Sequence, residues 1–189
     1  MIFVTDCTKK SVFCINIFTC MVEIKIATLY DAELIADISR ETFYATFAAH
    51  NSKADMDKFL SEQFCKEQLI AEVGATGNIF LLAYTDGIPA GYVFLKDGTH
   101  LALQTTQAIE ISRLYSRTSF IGKGIGKILM EASITRAKKM AKDCIWLGVW
   151  EHNQRAINFY LKFGFEKFSE HNFTLGDDIQ KDWLMKLMV

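Results

Sequence analysis

The chain has 189 residues, half of them apolar, with one proline and a net charge of −1. This excludes a disordered or fibrous chain, fits one domain with a substantial core, and leaves no electrostatic footprint for nucleic acid. Five cysteines (Cys7, Cys14, Cys20, Cys65, Cys144) without a C-x-x-C pair, and four histidines without an i,i+4 pair, exclude a metal centre and point to reduced thiols in a cytoplasm.

Residues 1–20 differ in character from the rest of the chain. An apolar run begins at Val12, but it contains Asn16, lacks a small-residue cleavage site and is too short to span a bilayer. The expectation is a dispensable extension ahead of Met21, with one domain over residues 21–189. Glu23–Thr28 alternates as a half-buried strand. Asp31 is placed to cap a helix running to about His50, with Leu34, Ile35, Ile38, Thr42 and Ala45 at helical spacing. A second helical region covers about Ala54–Val73 with a break near Cys65, and Gly74–Asn78 is a loop. Strands Ile79–Tyr84 and Ala90–Lys96 flank Asp86-Gly87, a hairpin signal. Asp97–Thr106 is polar and expected to be mobile. Ala108–Tyr115 is a strand.

Phe120–Met130, F-I-G-K-G-I-G-K-I-L-M, then opens an amphipathic helix that buries Ile125, Leu129, Ala132 and Met140. Glycines 122, 124 and 126 let backbone N–H groups converge, and the positive helix end adds to an anion-binding concavity. A Walker loop is excluded because Ile121 and Ile128 stand where it requires glycine and Ser/Thr. The dinucleotide fingerprint fails at Lys127, where it requires glycine. Downstream, Cys144–Trp150 is a strand, Gln154–Phe163 a helix, and Phe165–Phe168 and Ile179–Leu187 close the chain as a strand pair. Charge is uneven. Residues 121–142 carry six Lys/Arg against one acid, whereas residues 31–62 carry seven acids against three bases.

The glycine stretch resembles motif A of the GNAT N-acetyltransferases, Gln/Arg-x-x-Gly-x-Gly/Ala, on Ile121-Gly122-Lys123-Gly124-Ile125-Gly126, with Ile121 departing at the first position. Residues 144–165 resemble motif B, a strand followed by N-x-x-A-x-x-x-Y-x-x-x-G-F, on Asn153, Ala156, Tyr160, Gly164 and Phe165. The resemblance implies a single-domain α/β fold with a mixed, mostly antiparallel sheet, splayed central strands and flanking helices. It also implies acetyl-CoA as co-substrate, held by Leu114, Tyr115, Ser116, Ile121, Gly122, Lys123, Gly124, Ile125, Gly126, Lys127 and Asn153. E-T-F-Y-A-T-F-A-A-H-N-S at 41–52, W-L-G-V-W-E-H-N at 146–153 and T-L-G-D-D at 174–178 resemble the narrower bacterial spermidine/spermine acetyltransferases of the PaiA type.

By that resemblance Tyr160 protonates, or hydrogen-bonds, the departing thiolate; the lesser alternative is a helix tyrosine half-buried in the core. Asn153 is also placed to cap the last helix. An alkyl ammonium is neutral about once in 10³ molecules at pH 7, so a base is needed, and Glu110, Glu151 or water are the candidates. Glu110 is expected to share a strand face with Ser112 and Leu114. Gly148, between Trp146 and Trp150, marks either a closely approached backbone or a packing gap. The acceptor is expected to be a small-molecule amine, a polyamine on the strength of the acidic 31–62 stretch, with carboxylates such as Glu41 or Glu151 near its distal charges. A peptide or ribosomal-protein amine and a non-catalytic CoA-binding regulator are the alternatives. No membrane partner is expected, and the oligomeric state is open.

Overall fold

The computed structural model describes residues 21–175 and 178–189. The expectations for residues 1–20, and part of the 174–178 match, lie outside them. The element order is β1 (Val22–Ile26), α1 (Ala32–Phe47), α2 (Lys53–Gln63), α3 (Lys66–Gly74), β2 (Asn78–Thr85), β3 (Ile88–Asp97), β4 (Ala108–Ser116), α4 (Ile125–Lys139), β5 (Cys144–Trp150), α5 (Gln154–Lys162), β6 (Glu166–Leu175) and β7 (Asp178–Met188). This is the mixed α/β sheet that the sequence implied. No helix among the described residues is long and apolar enough to cross a membrane.

The β2–β3 hairpin turns on Asp86 and Gly87, both at positive φ (51° and 77°), the backbone that a two-residue hairpin loop needs. Cys65 is extended and separates α2 from α3, as the periodicity suggested. One expected cap is corrected. Asp31 makes no side-chain cap to α1; its carboxylate accepts from Thr28 N and Thr28 Oγ1 and closes the 3-10 turn Leu29–Asp31 in front of the helix. β6 runs to Leu175, well past Phe168, because its polar residues alternate along an edge strand that pairs with β7 throughout. The polar stretch after Asp97 has no regular structure, yet it is tied down: Trp146 Nε1 donates to Gly98 O at 3.1 Å, and Leu103 packs against Trp146 and Leu184.

Seven strands form one sheet in the order β1-β2-β3-β4-β5-β7-β6, antiparallel except where β4 meets β5. Because strand side chains alternate, each face has its own core. Leu81, Val93, Leu95, Ile109, Ile111, Leu147, Val149 and Met185 point to one face and are covered by Ile125, Leu129 and Met130 of α4 and Ile157 and Tyr160 of α5. Phe80, Leu82, Tyr92 and Phe94 point to the other, against Ile35, Ile38 and Phe43 of α1 and Leu69 of α3.

The parallel β4–β5 ladder lasts three positions, Ala108–Glu110 against Cys144–Trp146, and then the strands part. A β-bulge sits at the point of parting: Leu95 pairs with Ile111 and Phe94 with Arg113, leaving Ser112 unopposed. The extra residue breaks the alternation. Leu114 therefore packs with the α4 face, while Arg113 stacks over the Phe64 and Phe94 rings on the opposite face. Glu110 does not share a face with Leu114, contrary to the two-residue count from the sequence.

Candidate active site

The parting strands leave a cleft of about 470 Å³ that passes from one face of the sheet to the other. Ile111–Ser116 line one side and Gly148–Trp150 the other. On the α4 face the cleft reaches Ile121, Asn153, Arg155, Ala156 and Tyr160; on the α1 face it reaches Thr42, Phe43, Thr46, Phe47, Phe59, Phe64, Phe173 and Asp182.

The glycine turn lies at the α4 end. Gly122 and Gly124 have φ of 79° and 86°, where side chains are strained, and an added Cβ at either would meet nothing within 4 Å. These two glycines are therefore required by backbone conformation, and the space beside them is open. Gly126 differs: it lies in the first turn of α4, where a Cβ would touch Phe159 and Leu114 in ordinary contact. The first intrahelical bond runs from Ile128 N to Gly124 O, so the N–H groups of Ile125, Gly126 and Lys127 stand at the helix end with the positive dipole. Lys123 and Lys127 are exposed beside them. Asn153 accepts from Ala156 N at 3.2 Å, capping α5 while lining the cleft.

These features fit the pantetheine and pyrophosphate of a CoA thioester. Among the described residues the β4 backbone beyond Glu110 has no ladder partner on its β5 side, which leaves its peptide groups open to an amide chain. Ser116 Oγ is buried without a hydrogen-bond partner in a residue that lines the cleft. Gly91 holds this segment in place. A Cβ there would lie 2.3 Å from Tyr115 O, so only glycine lets β3 pass this close to the end of β4.

Tyr160 lines the cleft from the α5 side, and burial pushes its phenol up to about 12. Full proton donation to a thiolate of pKa about 8.5 is then uphill by about 5 kcal/mol. A phenol raised in this way stays protonated at neutral pH, and its hydroxyl is a hydrogen-bond donor on the cleft wall.

The acceptor side departs further from expectation. None of the seven acids in 31–62 lines the cleft. Arg40 engages Glu33 and Asp37, Lys53 engages Asp57, and Glu41 takes Arg117 Nη1 and the Thr118 N–H (3.1 Å). Glu41 thus ties α1 to the segment entering the glycine turn. The walls are aromatic instead: Phe43 stacks on Phe59 at 4.5 Å, and Phe47 leans on Trp150 at 5.5 Å. Among the described lining residues the one carboxylate is Asp182 of β7, which the sequence reading missed. Arg155 was missed as well.

Neither predicted base lines this cleft. Glu110 lies one step inside the closed part of the ladder, opposite Trp146. Burial raises its carboxyl, while Lys96, the Ser112 hydroxyl, His171 and Arg113 pull the other way. Glu151 lines a second cavity of about 440 Å³ with His50, His152, Asn172 and Lys181; that cavity shares Trp150 and Gln180 with the main cleft. Gly148 is a gap of a specific kind. A Cβ there would sit 3.5 Å from Asp182 Oδ2, 3.8 Å from Leu184 and 3.9 Å from His171 Nε2.

The sequence profile of the acetyltransferase (GNAT) family matches residues 33–165. An uncharacterised N-acetyltransferase from the pepI 3′ region of Lactobacillus delbrueckii subsp. lactis is 44% identical over 155 residues, covering 82% of this chain and 89% of that protein. A spermidine N(1)-acetyltransferase of Thermoplasma acidophilum is 29% identical over 150 residues, 77% of this chain and 88% of its own length. Among solved structures, the PaiA N-acetyltransferase of Thermoplasma acidophilum in complex with coenzyme A superimposes with a TM-score of 0.73 at 25% identity, over 89% of this chain and 99% of that one.

Proposed function

The chain belongs to the acetyltransferase (GNAT) family and is an acetyl-CoA-dependent N-acetyltransferase, and we propose that its acceptor is a polyamine such as spermidine. One observation carries this reading: two adjoining cavities share the Trp150 wall, and each holds a carboxylate, Asp182 in the inner one and Glu151 in the outer. An aliphatic chain with ammonium groups at intervals suits that sequence of surfaces. Its methylenes lie against Phe47 and Trp150, its reacting nitrogen near Asp182, and a distal nitrogen near Glu151. Lys181 also lines the outer cavity, but its ammonium is engaged by Glu170 at 2.9 Å. The likeness to a spermidine acetyltransferase supports the same choice.

In this scheme the glycine turn and the start of α4 bind the pyrophosphate. The free β4 edge at Leu114–Ser116 orients the pantetheine and offers an N–H to the thioester oxygen. A preorganised donor at a developing oxyanion contributes on the order of 10²–10³ in rate. Tyr160 stabilises the sulfur as it leaves.

The test is thiol release from acetyl-CoA with spermidine against butylamine. Cation–π contact at Trp150 and a part-exposed carboxylate at Glu151 together supply about 1–2 kcal/mol, so spermidine should lead by about 5–30-fold in kcat/KM. Glu151→Gln should narrow that lead. Equal specificity constants, or a clear preference for an alanine-terminated peptide, would overturn the polyamine assignment and leave the acyl transfer intact.

A further inference from the structure

Gly148, Asp182 and His171 come from three adjacent strands, β5, β7 and β6, and meet on the acceptor face of the sheet. Asp182 stands opposite Trp150 in the β5–β7 register and opposite His171 in the β6–β7 register. The missing side chain at Gly148 opens the space in front of both: Asp182 Oδ2 and His171 Nε2 are the polar atoms that bound it, 3.7 Å from each other. Asp182 lines the cleft and its side chain is 18% exposed, whereas that of His171 is 44% exposed. The first carboxylate therefore faces the reacting space, and the imidazole behind it faces solvent.

We propose that Asp182 is the group that takes the proton from the acceptor ammonium. This rests on acetyl transfer to an amine, and it holds for any primary alkyl amine rather than for a polyamine alone. The ammonium gives one proton to the Asp182 carboxylate and becomes the neutral amine. The nitrogen lone pair forms the C–N bond at the thioester carbonyl, the C–S bond breaks, and the electron pair leaves on sulfur. The second nitrogen proton is lost as the amide forms and balances the thiolate, so each turnover yields amide, free thiol and one proton to solvent.

The surroundings suit this role. Burial raises the Asp182 carboxyl, the nearby His171 imidazole opposes the rise, and Glu151 beyond the end of β5 adds to it. Glu110 of β4 also lies within electrostatic range of this imidazole. A carboxylate raised in this way is a better proton acceptor than a surface aspartate. Neither Glu110 nor Glu151 stands where Asp182 does, between the aromatic acceptor walls and the split in the sheet.

The experiment is Asp182→Asn, read with whichever of spermidine, butylamine and an alanine-terminated hexapeptide the wild type uses best. Removing a positioned base costs about 10²-fold. At pH 7 kcat/KM should fall by that factor while CoA affinity by calorimetry is unchanged. The deficit should shrink as pH approaches the pKa of the amine, because the neutral nucleophile then forms without help. Asp182→Glu should restore part of the rate. A variant as fast as wild type at pH 7, or a deficit equal at every pH, overturns the assignment. Gly148→Ala tests the same space without touching a charge. Its methyl, in ordinary contact with Asp182 and His171, should block acceptor turnover with CoA binding and melting temperature intact; full activity would refute the geometry. Failure of the polyamine assignment shows separately, as butylamine matching spermidine in the wild type.

Discussion

Gly124 offers a clean test of the anion cradle. It is the N-cap of α4 at φ 86°, with nothing within 4 Å of an added Cβ. Asn and Asp are nearly isosteric, and both tolerate the left-handed region better than other side chains. Gly124→Asn and Gly124→Asp should therefore lose similar stability, about 1 kcal/mol, or about 2–4 °C in a domain of this size. Asp should be no worse than Asn, since a carboxylate at a helix N-terminus is favourable by about 0.3–1 kcal/mol. Affinity should rank the other way. A unit charge about 5 Å from a phosphate charge costs about 0.8 kcal/mol at the dielectric of water and about 3 kcal/mol at an effective value of about 20. Gly124→Asp should then bind CoA about 4–150-fold more weakly than Gly124→Asn. The gap should narrow as salt is raised, because the site is exposed. Calorimetry at two ionic strengths reads the affinities, and thermal melts read the stability. The opposite signs exclude partial unfolding as the cause. Equal CoA affinity for the two folded variants would refute the placement of the pyrophosphate.

Buried groups and close contacts supply the other tests. Gly91→Ala sets a methyl 2.3 Å from Tyr115 O and should cost about 1–3 kcal/mol in urea unfolding, with weaker CoA binding because β4 must shift; unchanged stability would contradict the close approach. Tyr160→Phe removes one hydrogen bond to a developing charge, about 1.5–3 kcal/mol, and should lower kcat by about 10–100-fold without changing CoA affinity; an unchanged kcat would remove Tyr160 from the chemistry. Burial raises Tyr92, Tyr115 and Tyr160, so above the ordinary phenol value of about 10 the unfolded chain holds fewer protons than the folded one. Stability from these groups is complete below pH about 10 and falls as pH rises further; a melting temperature flat from pH 9 to 11.5 would refute the burial.

Features set by short-range patterns were legible in the sequence. The Asp86-Gly87 hairpin, the bounds of β5, the break at Cys65 and the glycine turn all follow from local residue chemistry. Of the residues singled out from the sequence, Leu114, Tyr115, Ser116, Ile121, Asn153 and Tyr160 line the cleft, whereas Glu110 and Glu151 do not. What failed depended on pairing or on distant partners. Ser112 between Glu110 and Arg113 looks like unbroken alternation, and only its partner strand shows the bulge. The acids of 31–62 suggested a cation site because charge was summed along the chain, while in the fold Arg40, Lys53 and Arg117 neutralise several of them. Asp182 sits in Q-K-D-W near the end of the chain, and nothing local separates it from a solvated strand aspartate. Gly91 shows its purpose only against Tyr115 O.

The sheet itself explains why the reaction has one place to occur. Among the described residues its two faces carry separate cores, and the seven strands are paired side by side except where the β4–β5 ladder ends. That gap lies between β4 and β5, the one parallel junction, where three residues pair and the remainder diverge. In the proposed scheme a phosphate at α4 is on one face and an amine among Phe43, Phe47 and Trp150 is on the other. They meet only through the gap, so its width and the groups on its rim govern the chemistry. Gly148 keeps the β5 rim free of a side chain. The Ser112 bulge turns Leu114 to the α4 face while Arg113 stays on the α1 face, held by Glu72 at 2.6 Å. A carboxylate that serves the amine must therefore lie on the acceptor face and beyond the closed end of the ladder. Among Glu110, Glu151 and Asp182, the residue that meets both conditions and lines the gap is Asp182.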